Sequence, residues 1–234
     1  MIARVWRGWT AHQNADAFEA VLRTESLPNA LAKNIAGLRE IQVLRLERLG
    51  ETEFITILWL DDMDAVRALA VARGVAEEDY EKSIVSFSAR ELLRRWDFKV
   101  EHYEVREIVR AAQPRIEPGK ARTLIARVWR GWTTHQNADA YETVLRTQTF
   151  PSAIAKDVGG LRELQALRLE RLGETEFLAI VWFDDVDAVR AFAAARGVAE
   201  DEHEKSVISQ RAREVLRRYD FKVEHYEVKE VVRT

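Results

Sequence analysis

Residues Ile2–Thr10 read IARVWRGWT, and Ile125–Thr133 read IARVWRGWT again. With a constant offset, Ala3–Arg110 runs beside Ala126–Arg233 without a gap, and roughly 70% of the paired positions are identical. A chain written this way is one unit of about 110 residues used twice. Its function belongs to that unit and to the way two copies meet. The repeat predicts a first domain over 1–110, a linker over 111–123 and a second domain over 124–234. The linker, AAQPRIEPGKART, holds two of the four prolines and has no apolar period, which predicts an exposed tether.

Within the first copy, residues 2–9 alternate, with Ile2, Arg4, Trp6 and Gly8 on one face and Ala3, Val5, Arg7 and Trp9 on the other. The Thr10–Gln13 spacing, kept as Thr133–Gln136, predicts a capping box. The helix behind it carries its apolar stripe on Ala15, Phe18, Val21 and Leu22 and is interrupted at Pro28. Leu38–Leu49 and Glu53–Leu60 read as a hairpin around Gly50. Asp61 is the expected N-cap of a helix over 62–73 that stops at Gly74. A helical stretch over 77–95, interrupted near Ser86, and a last strand over 98–109 complete the unit.

The order strand, helix, strand, strand, helix, strand predicts an α+β fold, a ferredoxin-like βαββαβ unit present twice. Helices cover one face of such a sheet. Apolar residues interleaved on the other face, with Val5, Trp9, Ile41, Val43 and Tyr103 assigned there, make that face an interface. Two such faces cover each other with two-fold symmetry. The expectation is an intrachain pseudo-dimer, with further self-association left open.

The near-balance of 36 basic and 39 acidic residues argues against a nucleic-acid or polybasic membrane partner. The chain has no cysteine, which removes disulfides, thiolate nucleophiles and Cys-ligated zinc. With no apolar span or leader pattern, a cytoplasmic protein is expected. No histidine spacing forms a metal site on one helix face, and no Gly-rich loop suits a nucleotide phosphate, so no cofactor is called for.

Candidate chemistry rests on three residue types. His102 and His225, each followed by tyrosine and flanked by glutamates, suit a general base near neutral pH; a hydrogen-bonded structural histidine is the alternative. Arg4, Arg7, Arg39 and Arg45, with counterparts Arg127, Arg130, Arg162 and Arg168, lie within strands. Each requires either an acid partner or a ligand anion, and Arg39 and Arg162 are chosen as the anion anchors. Trp6, Trp9 and Trp59, with counterparts Trp129, Trp132 and Trp182, suit an aromatic-binding pocket or a packed core, and Trp6, Trp59, Trp129 and Trp182 are chosen as the substrate-binding residues. His12 and His135, beside helix starts, are expected to be exposed.

The opening IARVWRGWT, the blocks EFITILW-DD-DAVRA and EFLAIVW-DD-DAVRA, and the closing FKVEHYEV resemble the antibiotic biosynthesis monooxygenase-like domains of the dimeric α+β barrel superfamily. The resemblance covers about residues 1–106 and 124–229. It implies a ferredoxin-like unit pairing into a barrel with helices outside, and a pocket between sheet and helices in each unit. It also implies chemistry ranging from oxygenation without flavin or metal, through haem degradation, to no activity. On this resemblance Trp59 and Trp182 match pocket-lining tryptophans. The asparagine that haem-degrading relatives carry on the first strand is absent, since Trp6 and Arg7 stand there. Those relatives place a proximal histidine on the helix after the third strand; the first copy has Tyr80 where the second has His203, so haem degradation is disfavoured for the first copy and left weakly open for the second. The implied activity is a cofactor-independent monooxygenase acting on a small aromatic or enolisable substrate. A non-catalytic ligand-binding or assembly module on the same barrel is the alternative.

Overall fold

The computed structural model describes residues 1–111 and 123–234, so nearly all of the expected tether lies outside the described residues. The chain divides into two compact units. The first comprises Met1–Glu104 with Val228–Thr234, and the second comprises Val105–Glu227.

In the first unit, β1 (Ile2–Thr10) is followed by α1 (His12–Val21), one π-helical turn over Leu22–Ser26 and α2 (Leu27–Leu31). Pro28 sits in the first turn of α2, where its missing N–H costs nothing. β2 (Leu38–Arg48) and β3 (Glu51–Leu60) form the hairpin, with Gly50 at φ +85° in the tight connection. α3 (Met63–Ala72), α4 (Phe87–Leu92), a short β4 (Leu93–Trp96) and β5 (Glu101–Arg110) follow. The second unit repeats this as β6 (Ile125–Thr133), α5 (Ala138–Val144), α6 (Phe150–Ile154), β7 (Leu161–Arg171), β8 (Glu174–Phe183), α7 (Val186–Ala195), α8 (Gln210–Val215), β9 (Leu216–Tyr219) and β10 (Glu224–Arg233). The α+β class and the βαββαβ core match the sequence expectation.

The sheet of the first unit runs β10–β2–β3–β1–β5, with β4 also on β1. Its β10 portion is the end of the chain: the Thr234 N–H donates to the Arg39 carbonyl at 3.0 Å, and Arg233 pairs with Glu40 at 2.8 Å. The second unit mirrors this with the end of β5, where the Ala111 N–H donates to the Arg162 carbonyl at 2.9 Å. One antiparallel register matters most for the site. Arg4 lies opposite Leu58 on one side and His102 on the other, so the three share a face.

Several local expectations shift by one residue. Thr10 ends β1 with its buried hydroxyl unpartnered, and α1 starts at Ala11 without a side-chain cap. In the second copy Thr134, which replaces that alanine, accepts from the Asn137 N–H. The N-cap of α3 is Asp62, accepting from the Ala65 N–H at 2.9 Å, while Asp61 is engaged by Arg39. The stretch over 77–95 is helical only at Glu77–Asp79 and Phe87–Leu92, and Ser86 caps the latter. Ile41 and Val43 lie on the helix-covered face, opposite Leu58 and Thr56, and not on the second face. The cause is an irregularity between Leu38 and Glu40, which flips the side-chain alternation of β2. Val5 and Tyr103, on the second face, are fully or almost fully buried.

Candidate functional site

Each unit holds a cavity between its sheet and its helices. The first measures about 590 Å³ and the second about 240 Å³. In the first, β1 supplies Arg4 and Trp6, α1 supplies Phe18, and β3 supplies Thr56 and Leu58. The π turn adds Leu22, Glu25 and Ser26, and Arg73 enters from the C-terminal end of α3. A π turn widens a helix locally and is often found at functional positions. Here it lies over the cavity in both copies.

Arg4 is the chemical centre of this cavity. It is only 5% exposed, and its one hydrogen bond is a long one, 3.5 Å, to the Lys82 carbonyl. No carboxylate among the described residues pairs with it. Burial and the neighbouring Arg73 charge pull the guanidinium well below its ordinary range, to about 9. Arg73 is likewise lowered by burial, and it donates to the Ile84 carbonyl at 3.0 Å. A buried cation is tolerated when paired, and an unpaired one is expensive. Two of them facing one hollow form a site with a built-in deficit of negative charge.

Other polar atoms at the cavity are also unsatisfied. The Trp6 indole N–H and the Ser83 hydroxyl are buried without partners. The counterparts Arg127, 6% exposed and lowered to about 9 by burial and Arg196, and Ser206 repeat the pattern, with Arg127 Nε and Ser206 Oγ unpartnered. Buried atoms without partners are rare in folded proteins.

His102 stands beside Arg4 on the next strand and packs against Tyr80, with ring centroids 5.4 Å apart. Its Nε2 is buried and unpartnered. Burial and the Arg4 charge hold it down to about 4, so it is neutral at pH 7. His225 stacks on His203 and is held at about 3 by burial and by Arg127. Neither histidine is among the residues lining the cavities.

The other expected site residues separate. Trp6 and Trp129 line the cavities. Gly8 makes room for the Trp6 ring, since a Cβ there would lie 2.4 Å from Trp6 Cη2. Trp59 and Trp182 are buried, but strand alternation puts them on the face opposite Leu58 and Val181, outside the cavity linings. Arg39 is exposed and held by Asp61 through bonds of 2.7 and 2.6 Å, and Arg162 is held by Asp184. Arg45 is shared by Asp16, Glu19 and Glu47. His12 binds Glu47 at 2.8 Å. The arginines thus divide between the two readings weighed from the sequence: Arg39, Arg45 and their counterparts have acid partners, whereas Arg4 and Arg127 have none among the described residues. Sequence reasoning missed Arg73 and Arg196, which follow a helix end and give no strand signal. Among the described residues no group of three or more His, Asp or Glu side chains is placed to hold a metal ion. No helix among them is long and apolar enough to cross a membrane.

No protein-family model matches the chain, and no curated protein matches it. Solved structures do. Proteins described as putative monooxygenases from Lactobacillus acidophilus and Fusobacterium nucleatum superpose with TM-scores of 0.60 each, at 10% and 8% identity. They cover 99% and 100% of this chain, and 95% and 94% of their own. An anthrone oxidase-like protein superposes at 0.59 with 16% identity, over 99% of this chain and 92% of its own. The chain therefore shares the α+β fold of these proteins over its whole length.

Proposed function

We propose that the first unit's cavity binds a small aromatic or enolisable molecule as its anion, and that the chain is a cofactor-independent monooxygenase acting on it. The observation that carries this reading is Arg4: a buried guanidinium with no acid partner, next to Arg73, facing a hollow of about 590 Å³ walled by Trp6 and Phe18. A planar anion supplies what the site lacks, placing an oxygen on the arginines and a ring against the aromatic walls. The volume lies within the usual range for ligand pockets.

Arginine held against a phenolate or enolate oxygen stabilises the ionised substrate and lowers the cost of removing its proton. His102, neutral at pH 7 and one strand from Arg4, is the proposed proton acceptor, and His225 is its counterpart. Its weak proton affinity leaves most of the acidification to the arginine pair. The electron-rich carbanion then reduces dioxygen itself. For an activated methylene, one oxygen atom enters the carbon as a carbonyl. The other leaves as water with the two methylene hydrogens, so no external reductant is consumed. The structural match to an anthrone oxidase-like protein supports this substrate class.

A second reading, a binding module without turnover, is favoured by one observation: no histidine lines the cavity. One experiment separates the two. Purified protein is titrated with anthracene-2-carboxylate by tryptophan fluorescence, and anthrone is then supplied under oxygen in an electrode cell. Saturable quenching with one oxygen consumed per anthrone, both lost in Arg4→Met, is the expected result. Binding without oxygen uptake selects the module, and absence of binding removes both readings.

A further inference from the structure

We propose that Phe192 is a built-in occupant of the second cavity, so that each chain takes up one fused-ring anion, in the first unit only. This rests on the anion-cavity reading above. The two cavities are assembled from corresponding residues, with Arg127, Arg196, Trp129 and Ser206 standing for Arg4, Arg73, Trp6 and Ser83. They nevertheless differ more than twofold in volume. The substitutions between copies account for the direction. Phe150 replaces Leu27 and Phe192 replaces Leu69, while the opposite changes, Thr56 to Ala179 and Leu58 to Val181, remove less.

The placement of Phe192 is specific. Its ring centroid lies 5.8 Å from the guanidinium carbon of Arg127 and 5.4 Å from that of Arg196. Both separations are within cation–π range. The second pair of buried arginines is thus already faced by an aromatic ring that belongs to the chain. In the first unit Leu69 stands at this position, away from the cavity lining, and no aromatic ring among the described residues is seated over Arg4 or Arg73. The indoles agree independently. The Trp129 N–H donates to the Asp220 carbonyl at 3.0 Å, whereas the Trp6 N–H has no acceptor. A volume of about 240 Å³ still adjoins Arg127 and Arg196, so the second cavity is closed to fused rings rather than to small anions.

Calorimetric titration of the full chain with anthracene-2-carboxylate tests this by stoichiometry. One equivalent is expected for the wild type, two for Phe192→Leu or for Phe192→Leu with Phe150→Leu, and none for Leu69→Phe. Each substitution installs the residue that the other copy already carries at the same position. Two equivalents in the wild type overturn the inference alone, as does a single equivalent in the double variant with unchanged near-ultraviolet circular dichroism. If the Phe192 variants do not fold, Leu69→Phe decides, and its retaining the ligand overturns the inference. No uptake by the wild type overturns the anion-cavity reading, and this inference with it.

Discussion

Replacing Arg4 by methionine should make the ligand-free protein more stable, not less. The argument begins with the charge. Burial and Arg73 lower the guanidinium from its ordinary range to about 9. That displacement, at about 1.36 kcal/mol per pH unit, means that holding the cation inside the fold costs roughly 5 kcal/mol at neutral pH. Little is returned, because the one hydrogen bond is 3.5 Å long and no carboxylate answers the charge. Methionine keeps an unbranched apolar stem of similar length and removes the charge. Buried ions replaced by apolar side chains typically yield about 1–4 kcal/mol, and a net gain of about 2 kcal/mol is expected here. The pH dependence has a definite sign. Below pH 9 both the folded and the unfolded states keep the proton, so the cost is complete. As pH rises above 9 toward the ordinary guanidinium range the folded state sheds it first and the cost fades. The variant's advantage is therefore full at pH 7 and shrinks above pH 9. Ligand reverses the comparison: at a hundredfold excess over its dissociation constant it stabilises the wild type by about 2.7 kcal/mol and the variant hardly at all. Urea denaturation at pH 7 and pH 10, with and without anthracene-2-carboxylate, measures all of this. A ligand-free Arg4→Met protein less stable than the wild type would refute the claim that Arg4 is an unpaired charge awaiting a ligand.

Three further outcomes follow from the same physics. His102 and His225 are held at about 4 and about 3, so between pH 6.5 and those values the unfolded chain binds the protons first and stability falls as pH falls. The loss is up to about 1.4 kcal/mol per pH unit per histidine, and His102→Gln should flatten the urea-midpoint profile over pH 4–6.5 by its share. Asp62→Ala should cost about 1 kcal/mol of thermal or urea stability through loss of the α3 cap, with a smaller change for Asp61→Ala. Ala11→Thr, which installs the cap that Thr134 provides in the second copy, should raise the first unit's unfolding free energy in urea titrations by about 0.5–1 kcal/mol.

How much of this was legible in the residues depends on whether parity or partnership was the question. Alternation placed Arg4 and Trp6 on one face of β1, and the structure keeps them there, both in the cavity wall. Applied to β2, the same alternation put Ile41 and Val43 on the wrong face, because one irregularity between Leu38 and Glu40 displaces every later side chain. Alternation also separates Trp59 from Leu58, so a tryptophan beside a cavity residue in sequence lies across the sheet from it. Partnership is harder. Arg45 meets Asp16 across 29 residues and Arg39 meets Asp61 across 22, and nothing local announces either pair. The absence of such a pair for Arg4 is no more visible in the sequence, yet it is what makes the site.

Duplication itself supplies the remaining step. In a homodimer of identical units, a phenylalanine at the position of Leu69 would fill both cavities, and any gain in apo stability would be made at the expense of both sites. A fused pair removes that symmetry constraint. One copy can place Phe192 against its arginines and offset the expense of burying them, while the other keeps Leu69 and an open hollow. The identity of the two IARVWRGWT strands then reflects shared folding needs, such as Gly8 and Gly131 admitting the indoles of Trp6 and Trp129. Part of the divergence falls at the second cavity, whose wall holds Phe150, Phe192 and Tyr141 where the first copy carries Leu27, Leu69 and Phe18. Wild-type stability should accordingly respond unequally to the two arginines. Arg127→Met should gain less than Arg4→Met, because the Phe192 ring already repays part of the cost of Arg127, and matched urea titrations of the two variants measure the difference.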